Sequence, residues 1–174
     1  MLDLAEFSRQ VGFGAIINPD AQETAVARPG PITFLLIDTR TPLEQMRSVI
    51  RPLRRAADIN LRFAPVIAVG PPLTELQMRQ FASEGFDDML ALPMNFASAA
   101  MRLEHQLLRT HTYFETADYL GPDRRRFSQR EPTMQGSYLL YHVHRDIKHG
   151  VSTRTARIAG RPQFTPAQPK VVRA

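Results

Sequence analysis

Two short stretches of the chain contain side chains whose types and spacing could support chemistry. The first holds Asp38, which ends the apolar run of residues 32–37 and is followed four residues later by Pro42. The second holds an acid followed directly by three consecutive arginines: Asp123, Arg124, Arg125 and Arg126. These stretches define two separate candidate sites, one in the apolar half of the chain and one in the polar half.

The run before Asp38 has the composition of a buried strand. A continuous apolar run of this length is typical of a parallel strand covered on both faces, and open α/β sheets place functional groups at the carboxyl ends of such strands. The pattern therefore predicts that Asp38 lies at the carboxyl edge of a central strand.

The stretch from Asp123 to Arg126 combines groups suited to a nucleotide. Each arginine offers a planar fork that matches a phosphate or a guanine edge, and it can stack on a base. A carboxylate such as that of Asp123 can accept hydrogen bonds from N1 and N2 of guanine. The alternative interpretation is a solvated basic linker, and the sequence leaves both open.

Other polar groups do not assemble into a catalytic or metal-binding set in the sequence. His142 and His144 could lie on one face of a strand, but no third ligand accompanies them. The acidic pair Asp87 and Asp88 falls in a turn before an apolar segment, and we expect both side chains to face solvent. The chain has no cysteine. We therefore predict no metal site, no catalytic residues and no enzymatic turnover.

The elements that position these residues follow from hydrophobic periodicity. Residues 65–69 and 89–92 are short apolar runs, and amphipathic segments at 2–11, 43–57, 73–83 and 97–108 are spaced as helices. Alternating helices and strands predict a parallel sheet with right-handed crossovers in a three-layer α/β domain over residues 1–109.

Residues 110–174 have a different character. Glycine and proline interrupt a polar sequence in which only 138–143 is apolar enough to form a strand or helix. We predict a largely irregular basic extension over 110–174, with its last 24 residues or so disordered.

Charge divides the chain at the same place. Residues 1–109 hold 11 arginines against 12 acidic residues, a net charge of −1, whereas 110–174 hold 11 basic against 5 acidic residues, a net charge of +6. A cationic arm of this kind can meet phosphates or acidic surfaces. No apolar run approaches a membrane span and no signal peptide is evident, so we expect a cytoplasmic protein.

Three spaced motifs resemble the receiver domain of bacterial response regulators, of the CheY-like type. LLIDTRTP matches the phospho-acceptor aspartate and the proline after it, APVIAVG matches the fourth strand, and EGFDDMLALP matches the turn and fifth strand. The resemblance covers about residues 2–108 and implies a flavodoxin-like parallel sheet. It assigns the phospho-acceptor position to Asp38.

The chain departs from the family pattern at the other functional positions. Gly70 replaces a Thr or Ser, Leu92 replaces the lysine before a proline, and Met89 replaces a common aromatic. The first strand, which carries two acids that hold Mg²⁺ in the family, is missing. Either a strand lies upstream, which would restore a Mg²⁺ site, or the sheet is rearranged, with residues 138–143 filling the central slot.

The resemblance implies a protein of two-component phosphorelay signalling. With so few of the phosphoryl-handling groups present, we expect impaired phosphorylation and action through contacts with a histidine kinase or a downstream target. The GPDRRR sequence at 121–126 resembles the endings of some alphaproteobacterial receivers, and more loosely the arginine-rich tails of receiver-like proteins that bind cyclic di-GMP. Cyclic di-GMP binding by Asp123 to Arg126 is therefore the alternative function. Non-specific nucleic-acid binding by the basic arm is a third interpretation.

Overall fold

The computed structural model describes residues 3–14, 32–123 and 137–158. Five helices and seven strands occupy these ranges: α1 (Leu4–Gln10), β1 (Leu35–Asp38), α2 (Leu43–Arg54), α3 (Ile59–Arg62), β2 (Val66–Gly70), α4 (Glu75–Glu84), β3 (Asp88–Ala91), α5 (Phe96–Leu108), β4 (His111–Glu115), β5 (Leu120–Pro122), β6 (Tyr138–Asp146) and β7 (Gly150–Ile158). The strands form two separate sheets, so the described part of the chain is an α/β protein. None of the helices in it is long and apolar enough to cross a membrane.

A three-stranded parallel sheet contains the strands predicted from the apolar runs. The strand order is β1-β2-β3, with Ile37 paired to Ala68 and Ala68 paired to Met89. Strand β2 is buried along its whole length, which explains its unbroken apolar sequence. Among the described residues β1 pairs only with β2, so Asp38 ends a strand at the edge of the described three-stranded sheet, whereas we predicted a central strand.

Helices cover both faces of this sheet. On one face α2 and α4 contribute Met46, Ile50 and Phe81 to a core that includes Val66. On the other face α1 and α5 contribute Phe7, Ala99 and Leu103, which pack against Ile67 and Val69 of β2. Alternate residues of β2 therefore point to opposite cores, as the pleat of a strand requires.

A four-stranded antiparallel sheet occupies residues that we predicted to be largely irregular. Its order is β5-β4-β6-β7, and β6 and β7 form a hairpin with Tyr141 opposite Thr155. The predicted irregular extension is therefore wrong for 111–115, 120–122, 138–146 and 150–158. The predicted disorder of the last 24 residues or so is wrong for 151–158, and 159–174 lie outside the described residues. Residues 138–143 form a strand, but they lie in this second sheet and not in the slot of the missing parallel strand.

Side-chain alternation along β6 defines the two faces of the antiparallel sheet. Tyr141, Val143 and Arg145 are buried on what we call the inward face, whereas His142 and His144 are exposed on the outward face. The inward core includes Phe63, which directly follows α3. The second sheet is thus packed against a loop of the first half of the chain.

One buried carboxylate, that of Asp87, joins the two sheets. Its side chain is 1% exposed and accepts hydrogen bonds from Arg54 Nη2 at 2.8 Å and Arg145 Nη2 at 2.9 Å. The Tyr113 hydroxyl and the Val66 N–H also donate to it. Burial by itself raises the pKa of Asp87, but the positive charges of Arg145 and Arg54 and these two hydrogen bonds hold the pKa below its ordinary value.

The two arginines donate further hydrogen bonds to backbone carbonyl oxygens. Arg54 donates from Nη1 to the carbonyl oxygen of Ala64 and from Nη2 to that of Gly85, both at 2.8 Å. Arg145 donates from Nε to the carbonyl oxygen of Phe63 at 2.9 Å. Because α2 carries Arg54 and β6 carries Arg145, the network fixes a helix of the first half of the chain against a strand of the second.

The expectation that Asp87 and Asp88 both face solvent is therefore wrong for Asp87. Asp88 is partly exposed and pairs with Arg102 of α5. The adjacent acids point to different environments because Asp87 lies just before β3, where its side chain turns into the space between the two sheets. The predicted boundary at residues 109 and 110 falls between α5 and β4. That this boundary separates two domains stays a prediction.

The network also sets where the second sheet is attached. Asp87 precedes β3 and binds the first residue of β2, so the antiparallel sheet meets the amino-terminal ends of the parallel strands. Asp38 lies at the carboxyl end of β1. A five-residue strand such as β2 spans roughly 16 Å, which keeps the two ends apart.

Replacing Asp87 by Asn should lower the free energy of unfolding by about 3–5 kcal/mol, because it leaves two buried guanidinium groups without an anion. Urea unfolding followed by circular dichroism at neutral pH measures the change. The matched control is Asp88→Asn, which breaks a partly exposed ion pair and should cost less than about 1 kcal/mol.

The effect of Asp87→Asn on the free energy of unfolding should also depend on pH. A depressed folded-state pKa means that Asp87 stabilises the fold above its unfolded pKa of about 3.9 and loses this contribution as the pH falls below it. The difference in stability between parent and Asp87→Asn should therefore narrow below about pH 4. Equal stabilities for Asp87→Asn and the parent at pH 7 would contradict the assigned role.

Candidate functional site

The Asp38 carboxylate is held by the side chain and backbone of Arg40. Arg40 Nε donates to Oδ1 at 2.9 Å and to Oδ2 at 3.1 Å, and Nη2 also donates to Oδ2. The Arg40 N–H donates to Oδ1 at 2.8 Å. Arg40 was not singled out in the sequence, although an arginine two residues after a strand-ending acid is positioned to turn back onto it.

These contacts shift the titration of Asp38. The hydrogen bonds from the Arg40 side chain lower the pKa of Asp38, partial burial opposes this, and the hydrogen bond from the Arg40 N–H and the nearby positive charge lower it further. The net effect is a pKa below the ordinary aspartate value. The carboxylate is therefore ionised and already neutralised by a cation of the same turn.

Gly70 lets the turn after Asp38 approach the end of the neighbouring strand. The Thr39 N–H donates to the carbonyl oxygen of Val69 at 3.0 Å, and a Cβ built on Gly70 would lie 2.1 Å from Thr39 Oγ1. A side chain at position 70 would require the Thr39 hydroxyl to rotate away, and its Cβ would still lie tightly against Thr39 Cβ at 3.1 Å and Thr39 N at 3.3 Å. Glycine at the position of the family's Thr or Ser thus fits the local packing and provides no hydroxyl group.

Two further positions of the resemblance carry apolar side chains that pack in the core. Leu92, at the family's lysine position, packs against the cluster that contains Leu90. Met89 packs against the opposite cluster, which contains Phe86. Neither side chain brings a charge toward Asp38.

The second candidate site lies on the outward face of the antiparallel sheet. Asp123 follows β5, and its N–H donates to the carbonyl oxygen of Thr112 at 2.9 Å. Thr112 pairs with His142, and His142 pairs with Arg154. These four residues therefore form a row across the sheet. With strands about 4.8 Å apart, Asp123 and His142 are separated by roughly 10 Å.

A concave site of about 550 Å³ includes the His142 and Arg154 end of this row, and we call it the β6–β7 cleft. His144 pairs with Ser152 across the same two strands, next to the pair of His142 and Arg154. The residues that line the cleft are Thr110, His142, His144, Ser152, Thr153 and Arg154. None of the six is acidic.

Only some of the predicted site residues belong to the described part of the chain. The structure brings Asp123 into one row with His142 and Arg154, whereas Arg124, Arg125 and Arg126 lie outside the described residues. The contribution of Arg154 and Ser152 was missed because β7 is too polar to be recognised as a strand. The signal that could have located β7 was the alternation of side chains along β6 followed by a glycine. This residue, Gly150, adopts a positive φ of 82° in the connecting turn.

Neither possible metal ligands among the described residues nor similarity to known proteins assigns a function to the two sites. Within residues 3–14, 32–123 and 137–158, no group of three or more His, Asp or Glu side chains is arranged to hold a metal ion. Comparison of the chain with protein-family models, with curated proteins and with solved structures finds no significant match.

A pH titration of the Asp38 carboxyl carbon by ¹³C NMR should give a pKa below the ordinary value of about 3.9. Arg40→Gln should raise this pKa, because it removes the largest stabilising contact of the ionised form. Arg51→Gln, an exposed arginine change on α2, should leave it unchanged. An ordinary pKa in the parent, or a low pKa that survives Arg40→Gln, would rule out the ion pair as described.

Proposed function

We propose that the chain is a non-catalytic, receiver-like signalling protein that acts through protein contacts and is not appreciably phosphorylated. In the proposed fold the three parallel strands and the helices that follow them are the last three strand–helix units of a flavodoxin-like receiver. In support, Asp38 ends the first of these strands, and α2 begins at Leu43 directly after Pro42. A histidine kinase or a downstream target is the proposed class of partner in a cytoplasmic two-component pathway.

The observation that carries the proposal is the occupancy of Asp38 by Arg40. Phosphoryl transfer depends on an accessible nucleophile and on cations positioned to neutralise the transferred group. Here the guanidinium binds both carboxylate oxygens of the would-be nucleophile, with three contacts from Nε and Nη2. A phosphodonor would have to displace the exposed Arg40 guanidinium from Asp38 before reaction.

The residues at two other positions of the resemblance also argue against phosphorylation. Gly70 provides no hydroxyl group for a phosphoryl oxygen, and Leu92 provides an apolar side chain in place of a lysine. Mg²⁺ enters this account only if an acidic pair lies upstream in a longer chain. In the proposed role Asp38 stays paired with Arg40, and signalling depends on which surfaces the fold presents.

Incubation with acetyl phosphate and Mg²⁺, followed by intact-mass measurement, should show no appreciable phosphorylation of the parent chain. Arg40→Ala should also remain unmodified, because Gly70 still provides no hydroxyl group and Leu92 no cation for the phosphoryl group. A stoichiometric gain of one phosphoryl group by the parent, absent from Asp38→Asn, would overturn the proposal.

A second candidate function, binding of cyclic di-GMP, is favoured by the row on the antiparallel sheet. Asp123 can accept from a guanine edge, and His142 and Arg154 of the same row offer donors to a phosphate. In this candidate function Arg124, Arg125 and Arg126, which follow Asp123 in the sequence, supply further planar donors.

Calorimetry with cyclic di-GMP should show weaker binding for Asp123→Ala, although this change makes the tail more basic. The triple change of Arg124, Arg125 and Arg126 to Lys keeps the charge and removes the planar forks, so it should also weaken binding. A purely electrostatic arm would bind as well or better in the first variant. No binding by the parent, or parent-like binding by both variants, would eliminate this function.

A further inference from the structure

We infer that the β6–β7 cleft binds the phosphate group of a small molecule. The inference does not depend on the receiver-like proposal, and it requires neither Asp123 nor the arginines after it. Its starting point is the pairing of His142 with Arg154 and of His144 with Ser152 on adjacent strands. Directly paired residues on one face of an antiparallel sheet have Cβ atoms about 4.5–5.5 Å apart, so the four side chains converge on one patch.

The cleft presents hydrogen-bond donors without a competing acid. Arg154 contributes a guanidinium, His142 and His144 contribute imidazole N–H groups, and Ser152 contributes a hydroxyl. Thr110, one residue before β4, adds a second hydroxyl. Phosphate oxygens accept from all of these groups, and a guanidinium can bind two oxygens at once.

One oxygen of the nearby Asp146 carboxylate is held by the turn that follows β6. Asp146, on the same face at the end of β6, accepts from the N–H groups of Lys148 and His149 at 2.8 and 2.9 Å and contacts the His149 ring. In the described part of the chain Arg154 makes no ion pair with an acidic side chain. The positive charge of Arg154 is therefore available to an anion that enters the cleft.

The same residues disfavour a metal ion. Two imidazoles spaced by one residue can bind a cation, but metal sites in proteins need further ligands, and acids commonly supply them. Here the groups across the strand pair are a guanidinium and a hydroxyl, and the former repels a cation. The volume of about 550 Å³ lies within the range of small-molecule sites.

Amide NMR of the full chain tests this inference with two probes, inorganic phosphate and adenosine 5′-monophosphate. At constant ionic strength each probe should shift the amide signals of His142, His144, Ser152 and Arg154 in a saturable way. Adenosine is the phosphate-free control. Tighter binding of the nucleotide than of inorganic phosphate would indicate that the source is a phosphorylated organic molecule, and equal binding would indicate free phosphate.

Two arginine variants on β7 separate recognition from general charge. Arg154→Gln should weaken binding by about tenfold or more, as expected for loss of a charge-assisted contact. Arg157→Gln makes the same charge change on the same strand, but Arg157 pairs with Leu139 and lies on the other face. It should leave the affinity within about twofold of the parent, since screening limits distant surface charges.

Several outcomes would overturn the inference. These are the absence of saturable shifts with either phosphate probe, parent-like binding by Arg154→Gln, or equal weakening by both arginine variants. Two further outcomes would assign the cleft to other ligands: shifts of the same amides by Zn²⁺ but not by phosphate, and binding of a single-stranded oligonucleotide without binding of either small probe.

Discussion

The buried carboxylate of Asp87 is the interaction on which the arrangement of the two sheets depends. It balances one of two guanidinium charges, those of Arg54 and Arg145, in a space where neither arginine can reach solvent. The remaining charge is stabilised by backbone carbonyl dipoles, including those of Ala64 and Phe63. Removing water from such groups costs several kcal/mol per ion, so the network is favourable only when every partner is in place.

The need to pair these buried charges explains several features that neighbouring residues in the sequence do not explain. Arg54 occupies the last turn of α2 yet is buried, because its side chain reaches carbonyl groups that precede β2 and β3. The buried Tyr113 hydroxyl lies between Asp87 and Arg145, and desolvation is the main reason that the pKa of Tyr113 is raised. The network holds the antiparallel sheet at the amino ends of the parallel strands. The Asp38 end and the β6–β7 cleft are consequently separate surfaces.

The sequence predicted the strands and helices that are determined by the spacing of neighbouring apolar residues. Apolar runs located β1, β2 and β3, and helical spacing located α1, α2, α4 and α5, because burial on one or both faces leaves a periodic signature. The antiparallel sheet escaped prediction because β7 is largely polar and because Arg145 stands on the inward face of β6 where an apolar residue is expected. The exposed environment predicted for Asp87 was wrong because its partners Arg54 and Arg145 lie 33 and 58 residues away. The position of Asp38 at a strand end was predictable, whereas its partner Arg40 required the geometry of the turn.

Urea unfolding with two probes tests most directly whether the Asp87 network makes the two sheets one cooperative unit. The four tyrosines of the chain are Tyr113, Tyr119, Tyr138 and Tyr141, and there is no tryptophan, so intrinsic fluorescence reports on the antiparallel sheet. The described helices all lie before residue 109, so circular dichroism at 222 nm reports mainly on the part around the parallel sheet. We expect the two transitions to coincide in midpoint and slope. Separate transitions at different urea concentrations would contradict the account, because they would show that the sheets unfold independently.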